Sequence, residues 1–277
     1  MVALIARSIA KYPKHLFIRL DNTQSEISRP PWKKSLEKCL IKFFYPKADA
    51  IVGVSKAVLE DFKSYSGIKH SKLITIYNPI IKQEIYKKAS APLVHQWFNP
   101  KTMSVIVAIG RLTEQKNFSL LIKSFAKLVE NYKANLVILG EGPLRPDIET
   151  LINRLNVQEL VSLPGVVANP YNYLKNADLF VLSSNYEGLP TVLVEALACG
   201  CPVVSTDCPS GPKEILDNGK YGVLVQTGNI DQLAAAMMQT LSSKPITVPS
   251  TWLDQFTEEV IVNEYLDLMG LSHSFQS

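Results

Sequence analysis

From about residue 104 onward the sequence predicts a doubly wound α/β fold, and two observations support this prediction. Uniformly apolar, β-branched runs such as SVIVAIG (104–110) and DLFVLSS (178–184) alternate with segments of helical apolar spacing such as 116–132. Strands that are apolar on both faces indicate a parallel sheet covered by helices on both sides. Sheets of this kind bind ligands at the carboxyl ends of their strands, so we expect a functional site there.

The elements of this part alternate regularly. Short apolar runs bounded by glycine, serine or polar turns predict strands at 104–110, 135–142, 161–167, 178–184, 202–206 and 222–225. Apolar residues at helical spacing predict helices at 116–132, 145–157, 171–177, 191–200, 212–217 and 231–241.

The first hundred residues are less regular. Strands are predicted at 15–20, 48–55 and 72–78, a helix at 57–65, and a linker of mixed composition at 83–100. Three recognisable strands are few for a complete doubly wound domain, so we expect an incomplete N-terminal domain at 1–96. A C-terminal domain at 97–250 follows, and 251–270 is predicted to be a helix within a final segment, 251–277.

Composition excludes several classes of protein. Apolar residues make up 47% and charged residues 19%, which is typical of a globular chain, and a net charge of +4 is too small for a dedicated nucleic-acid binder. The four cysteines, Cys39, Cys199, Cys201 and Cys208, lack CxxC spacing, and the four histidines are scattered. We therefore expect reduced cysteines, no catalytic metal and a cytoplasmic protein.

Two carboxylates stand out in the stretch NYEGLPTVLVEALACGCPVVS (185–205). Pro190 suits the first turn of a helix and Gly200 its C-terminal cap, so a helix is predicted from about Pro190 to Cys199. The free N–H groups at its start favour a phosphate. Glu187 precedes this helix and Glu195 lies inside it, among apolar residues. On spacing alone, Glu195 either binds ligand hydroxyls or accepts hydrogen bonds from neighbouring backbone amides.

A second candidate is GRLTEQKN (110–117), where a strand ends in Gly110 and two cations follow before a helix. Arg111 and Lys116 at the carboxyl end of a strand can neutralise a diphosphate, although ordinary solvated loop charge is the alternative. The turn GEGPLR (140–145) is weaker, because a lone GxG most often marks a tight turn. The sequence has no GxGxxG or Walker A pattern.

Together, GRLTEQKN, GEGPLR, EGLPTVLVEA and CPSGPKEIL closely resemble, in this order, the nucleotide-sugar domain of family 4 glycosyltransferases. The resemblance spans about 104–240, and the Glu-x7-Glu pair is its most specific part. It implies a retaining enzyme of the GT-B fold, in which two Rossmann-like doubly wound domains face a cleft. The CPSGPKEIL variant is similar to the subgroup that adds hexose or N-acetylhexosamine from UDP-sugars to lipid-linked oligosaccharides, O-antigen or capsule.

The resemblance also implies residue roles. Arg111 and Lys116 hold the diphosphate and stabilise the leaving nucleotide without a metal or other cofactor, Glu187 faces the donor sugar, and Glu195 binds the ribose. The leaving phosphate assists the acceptor hydroxyl on the same face, which gives retention. The nucleotide-sugar site is completed by Gly110, Leu144, Val166, Gly188, Leu189, Pro190 and Thr191.

The N-terminal part departs from the family pattern. The chain starts far into that domain, and Asp21-Asn22 stands where relatives often carry a histidine. A shortened, catalytically impaired donor-binding fragment that needs a partner chain therefore stays open beside an active enzyme. A sugar-nucleotide epimerase is a third alternative, although epimerases lack the EGLPTVLVEA context.

Two further segments predict contacts. The segment 33–47 is basic and amphipathic, so it either lies on the anionic inner face of the cell membrane or packs on the sheet with its lysines outward. A membrane contact would suit a lipid-linked acceptor. In GT-B proteins the last helix crosses back to the N-terminal domain, and here Trp252 and Phe256 would be its packing anchors.

Overall fold

The computed structural model describes residues 15–23, 25, 30–68 and 73–271. This part of the chain contains two parallel sheets, one of three strands in the order β1-β2-β3 and one of six in the order β6-β5-β4-β7-β8-β9. The strands are β1 Phe17–Leu20, β2 Ala50–Gly53, β3 Leu73–Thr75, β4 Ser104–Ile109, β5 Ala134–Leu139, β6 Val161–Gly165, β7 Leu179–Leu182, β8 Val203–Thr206 and β9 Val223–Val225.

Eleven α-helices are found among the described residues. They are α1 Pro31–Phe44, α2 Lys56–Ser66, α3 Gln83–Ala89, α4 Phe118–Val129, α5 Arg145–Arg154, α6 Tyr171–Asn176, α7 Thr191–Ala198, α8 Pro212–Ile215, α9 Ile230–Ser242, α10 Ser250–Leu253 and α11 Glu258–Met269. The alternation of strand and helix confirms the predicted α/β class.

The six-stranded sheet forms the core of the larger part. β5 and β7 are buried along their whole length, because helices cover both faces of the sheet. In the strand order, β4 lies between β5 and β7, so the chain direction across the sheet reverses at the β4–β7 pair. A crevice opens where connections leave two neighbouring strands in opposite directions, and ligands bind there in doubly wound sheets.

Helix boundaries follow local capping chemistry. The predicted helix 116–132 begins only at Phe118, because the Asn117 side chain caps it by accepting a hydrogen bond from the Leu120 N–H. The predicted helix 212–217 shortens to α8, Pro212–Ile215. The predicted strand 161–167 ends at Gly165, whose φ of +81° turns the chain away from the sheet.

The last segment is not the single helix that the sequence predicts. It is broken into α10, a 3₁₀ turn at Asp254–Phe256, and α11. At the break, the Phe256 carbonyl accepts hydrogen bonds from the N–H groups of Ile80 and Ile81. Beyond it, α11 packs Ile261 against β2 and the end of β3 through Val52 and Ile76. The chain therefore returns to the three-stranded sheet, with the Phe256 ring fully buried.

The predicted linker 83–100 contains a helix that the sequence analysis missed. α3 lies over α6, where the Asn169 side chain donates a hydrogen bond to the Lys88 carbonyl at 2.8 Å and the Asn172 side chain donates to the Pro92 carbonyl at 3.0 Å. These contacts fix the segment that leads from one sheet to the other. The division into domains at 96/97 and 250/251 stays a prediction.

Two smaller findings complete the fold. All four cysteines are free; Cys199, Cys201 and Cys208 are buried, whereas Cys39 is exposed on α1. Across the described ranges, no helix combines the length and the apolar character that a membrane crossing requires.

Candidate active site

The loops that follow β4 and β7 meet where the strand order reverses. Gln115 donates its side-chain amide hydrogen to the Tyr186 carbonyl at 3.1 Å, and Asn117 donates to the Asn185 side-chain oxygen at 2.9 Å. The Ser183 hydroxyl adds a bond to the Lys116 carbonyl at 2.9 Å. These bonds join the GRLTEQKN loop to the loop that carries Glu187.

At the centre of this junction Lys116 and Glu187 form an ion pair. The Lys116 Nζ lies 2.6 Å from Glu187 Oε1, and the two side chains are only 16% and 7% exposed. The Ser184 hydroxyl donates to the same carboxylate oxygen at 2.6 Å. Charge-assisted bonds of this length hold the carboxylate in one orientation and compensate much of its desolvation. Glu187 is therefore a paired internal carboxylate at the mouth of the sheet.

Gly110 makes room for this arrangement. A Cβ atom at Gly110 would lie 3.2 Å from the Cγ, Cδ and Cε atoms of Lys116, so the aliphatic stem of the lysine passes directly over the end of β4. The glycine that ends the strand thus allows the ammonium group to reach Glu187.

Arg111 lies beside a shallow pocket at the ends of β4, β5 and β6. The pocket has a volume of about 360 Å³ and is lined by Gly110, Arg111, Gly140, Val166, Val167 and Pro170, among others. Gly140 has φ +140°, and a Cβ there would lie 2.0 Å from the Gly110 carbonyl oxygen, so only glycine fits. Val166 is 77% exposed, which leaves an apolar surface at the pocket edge.

Leu144 lies in the GEGPLR turn, immediately before α5. Its N–H donates to the Leu112 carbonyl at 3.1 Å, and its half-buried side chain packs against the core of the six-stranded sheet. It does not line the pocket beside Arg111. The adjacent Gly142, whose Cβ would lie 2.5 Å from the Leu112 carbonyl oxygen, holds the GEGPLR turn against the GRLTEQKN loop.

Glu195 faces a second pocket, of about 390 Å³, which Thr191, Tyr171 and seven residues between positions 78 and 88 also line. The Tyr171 hydroxyl donates a hydrogen bond to Glu195 Oε1 at 3.3 Å. Burial raises the pKa of the Glu195 carboxyl above its usual value, and the bond from Tyr171 offsets only part of that rise. The apolar helix therefore contains a carboxylate that is held at an energetic cost and points into a pocket.

Two residues that are consecutive in the chain line the two pockets. Pro170 lines the pocket beside Arg111, and the next residue, Tyr171, lines the pocket beside Glu195. Helix α7 begins at Thr191, directly after the buried turn formed by Gly188, Leu189 and Pro190. The structure thus brings the predicted site residues to one edge of the six-stranded sheet, where Leu144 lies outside the pocket beside Arg111.

The three-stranded sheet closes over the same turn. A Cβ at Gly188 would lie 2.1 Å from the Asp21 carbonyl oxygen, so the loop after β1 presses directly on this glycine. The Asp21 carboxylate itself pairs with Arg19 at 3.0 Å, joining its Oδ1 to the arginine Nε. Asp21 thus contacts the Gly188 turn through its backbone carbonyl, and its carboxylate forms an ion pair with Arg19.

The sequence analysis missed Ser184 and Tyr171 as site residues. Ser184 belongs to a predicted strand end, and a serine three residues before a glutamate gives no functional signal in one sequence. Tyr171 lies 24 positions from Glu195, and only the fold brings them together. Among the described residues no group of three or more histidine, cysteine, aspartate or glutamate side chains could hold a metal ion.

Comparison with known proteins shows to which family this chain belongs. The model of the glycosyl transferases group 1 family matches residues 93–249, which is more than half of the chain. In Campylobacter jejuni subsp. jejuni, N-acetylgalactosamine-N,N'-diacetylbacillosaminyl-diphospho-undecaprenol 4-alpha-N-acetylgalactosaminyltransferase is 35% identical over 228 residues, covering 82% of this chain and 60% of that protein. An uncharacterised glycosyltransferase of Methanocaldococcus jannaschii is also 35% identical, covering 81% of this chain and 58% of that protein.

Solved structures agree on the fold. Anabaena HepE in complex with UDP superimposes with a TM-score of 0.77 at 22% identity, covering 99% of this chain and 73% of HepE. TarM of S. aureus superimposes with a TM-score of 0.72 at 23% identity, covering 91% of this chain and 50% of TarM. The predicted GT-B fold is confirmed. The chain spans about 60% of the length of the first two relatives, and it belongs to the group 1 glycosyl transferases.

Proposed function

We propose that this chain transfers a hexose or N-acetylhexosamine from a UDP-sugar to a lipid-linked or polysaccharide acceptor, with retention of configuration. The observation that carries the proposal is the buried Lys116–Glu187 pair at the reversal of the strand order. A lysine held there can bind a phosphate, and a carboxylate beside it can accept hydrogen bonds from sugar hydroxyls. The start of α7 adds N–H groups that also favour a phosphate.

The proposed reaction follows from these positions. The bond between the anomeric carbon and the β-phosphate oxygen breaks, and a bond to the acceptor oxygen forms on the same face of the sugar. The acceptor proton passes to the leaving diphosphate, whose added charge Lys116 and Arg111 stabilise. Glu187 orients the donor sugar and Glu195 the ribose. In this scheme the two cations supply the charge stabilisation, and we expect no metal ion to be required.

Relatives support the choice of substrates. The Campylobacter relative is named as an N-acetylgalactosaminyltransferase that acts on a diphospho-undecaprenol-linked saccharide. Anabaena HepE has been solved with UDP-glucose, and TarM with UDP. Sugar-nucleotide epimerisation is not favoured, because the relatives described above are glycosyltransferases.

Calorimetric titration of the full chain with UDP tests the donor assignment. We expect one UDP per chain and no dependence on added Mg²⁺, because the proposed charge contacts come from side chains and the helix start. A chain that does not bind UDP would contradict the proposal. Binding of UDP without release of UDP from any UDP-sugar, in the presence of a lipid acceptor, would instead favour a donor-binding module that needs a partner chain.

We further propose that α1 holds the enzyme on the anionic inner face of the cell membrane, next to a lipid-linked acceptor. Residues 31–47 contain five lysines and one glutamate. Trp32, Leu36, Cys39 and Phe43 recur at helical spacing and are all exposed, so they form one apolar stripe on the outer side of α1. Ile41 faces the core instead. An exposed apolar stripe with flanking lysines suits an anionic lipid surface.

Vesicle sedimentation tests this contact. We expect the chain to sediment with phosphatidylglycerol-rich vesicles, to remain in solution with pure phosphatidylcholine, and to dissociate as salt is raised, because salt screens the lysines. Trp32→Ser with Phe43→Ser should abolish sedimentation, whereas the matched pair Tyr86→Ser with Val262→Ser, exposed elsewhere, should not. Equal sedimentation of both double variants would contradict the proposal and favour a helix that presents its lysines only to water.

A further inference from the structure

A cluster of hydrogen bonds that the proposed chemistry does not use joins the two sheets behind the donor turn. Its members are Ser55 and Tyr77, which follow β2 and β3, and Ser210 and Glu214, which lie in the loop and helix after β8. We call these four residues the clasp. The Glu214 carboxylate accepts the Tyr77 hydroxyl at 2.6 Å, and both of its oxygens lie 3.1 Å from the Lys56 N–H. Lys56 is the first residue of α2, so the carboxylate also meets the positive end of that helix.

The other half of the clasp reaches the donor turn itself. The Gly188 carbonyl accepts hydrogen bonds from the Ser210 hydroxyl at 2.6 Å and from the Ser55 hydroxyl at 3.2 Å. Ser55 is fully buried and also caps α2. One serine after β2 and one serine after β8 therefore donate hydrogen bonds to the same carbonyl, that of the residue after Glu187. Movement of the two sheets relative to each other must change this contact.

Local backbone geometry supports a specific role for Ser210. Ser210 has φ +71° and Gly211 φ +85°, and a side chain at Gly211 would collide with Pro190, since its Cβ would lie 2.4 Å from the proline Cδ. A non-glycine residue at positive φ costs free energy and persists only where the surroundings hold it. The hydrogen bond from the Ser210 hydroxyl to the Gly188 carbonyl is one contact that favours this conformation. The loop after β8 is thus fitted closely against the turn that begins α7.

We propose that the clasp sets the position of the Glu187–Thr191 turn, so that the donor-sugar contacts are aligned only while the two sheets are held together. Tyr77, Ser210 and Glu214 are then positioning residues, which act through the turn and not on the donor. This inference rests on the proposed function for its effect on transfer, but its structural core does not. It predicts that removing the hydrogen bonds of Glu214 makes the backbone of residues 186–192 more mobile, although Glu214 does not contact that turn directly and acts on it through Ser210.

Hydrogen exchange of the ligand-free full chain tests the structural core. In Glu214→Gln, Tyr77→Phe and Ser210→Ala we expect the backbone amides of 186–192 to exchange about tenfold faster than in the wild type. In Glu214→Gln and Tyr77→Phe the amides of 55–59 should also exchange faster. The amides of β5 should keep their wild-type rates in all three variants. Tyr132→Phe, whose hydroxyl lies near Ser104 and the Leu241 carbonyl, is the matched control and should change neither segment. Faster exchange at 55–59 with unchanged exchange at 186–192 would overturn the positioning role.

A kinetic measurement tests the functional consequence. With UDP-N-acetylgalactosamine as the probe and water as the acceptor, we expect Glu214→Gln and Ser210→Ala to lower kcat for UDP release about tenfold while KM stays within about threefold. UDP affinity should fall by less than about threefold, because Arg111, Lys116 and Glu195 lie outside the Glu187–Thr191 turn and only the N–H groups at the start of α7 lie within it. A tenfold or greater loss of UDP affinity in these variants would overturn the inference. Absence of UDP binding by the wild type would instead contradict the proposed function and leave the exchange experiment to decide on the clasp.

Discussion

Lys116→Met should lower the rate of UDP release by at least about 100-fold and, separately, destabilise the fold by about 3 kcal/mol. The rate falls because a cation beside a leaving group stabilises the charge that develops there and so lowers the activation barrier by about 3 kcal/mol. The loss of stability follows because the Glu187 carboxyl, with a side chain only 7% exposed, loses its ion-pair partner. Urea unfolding and steady-state kinetics measure the two effects independently.

The double variant Lys116→Met with Glu187→Gln separates them. A neutral glutamine needs no cation, so most of the lost stability should return, whereas the rate should stay low. Lys127→Met is the matched control, since Lys127 also pairs with a carboxylate at 2.6 Å but both partners are more than half exposed, at 53% and 76%. This exposed pair should contribute little to stability, so the variant should unfold at nearly the wild-type urea concentration and leave the rate unchanged. Recovery of the rate in the double variant would show that Lys116 acts only by neutralising Glu187.

The part of the fold that the sequence predicts well is the part with strong local signals. The β-branched and aromatic runs SVIVAI and LFVL predict buried strands, as the structure has them, whereas the boundaries at Asn117 and Gly165 each differ from the prediction by two residues. The break at Phe256 was not predictable, because it depends on two backbone hydrogen bonds to Ile80 and Ile81, 175 or more positions away in the chain. Helix α3 escaped detection for a similar reason, since its packing partner is α6.

The candidate site divides in the same way. Arg111, Lys116 and Glu187 are predictable as a group, because the carboxyl ends of neighbouring parallel strands share one edge of the sheet. That Lys116 and Glu187 pair with each other depends on the path of the lysine over Gly110, which the order of residues does not reveal. The clasp is less predictable still, because Ser55 and Ser210 lie 155 positions apart, and the CPSGPKEIL segment that contains Ser210 does not indicate which residues it contacts.

Glu195→Gln should weaken UDP binding by about 2 kcal/mol, which is roughly thirtyfold in Kd. A carboxylate accepts hydrogen bonds from two vicinal ribose hydroxyls more strongly than an amide does, and glutamine also presents a donor where an acceptor is needed. Glutamine retains an oxygen for the Tyr171 hydroxyl, so the local packing should persist. Calorimetric titration measures the change, and Glu60→Gln, an exposed member of a surface ion pair, is the matched control.

The same substitution should stabilise the ligand-free protein at neutral pH, and this opposite sign distinguishes a ligand-binding carboxylate from a structural one. Burial raises the pKa of Glu195 above its usual value, so the folded state favours the protonated form of this carboxyl more than the unfolded chain does. The stability that this protonation contributes is present below the unfolded-state pKa and is lost as pH rises through the folded-state pKa. Melting temperatures of wild type and variant should therefore coincide near pH 4 and separate as pH rises, with the glutamine variant higher. A variant that melts at a lower temperature than the wild type at neutral pH would mean that the Glu195 carboxylate stabilises the fold and is not retained for ligand binding.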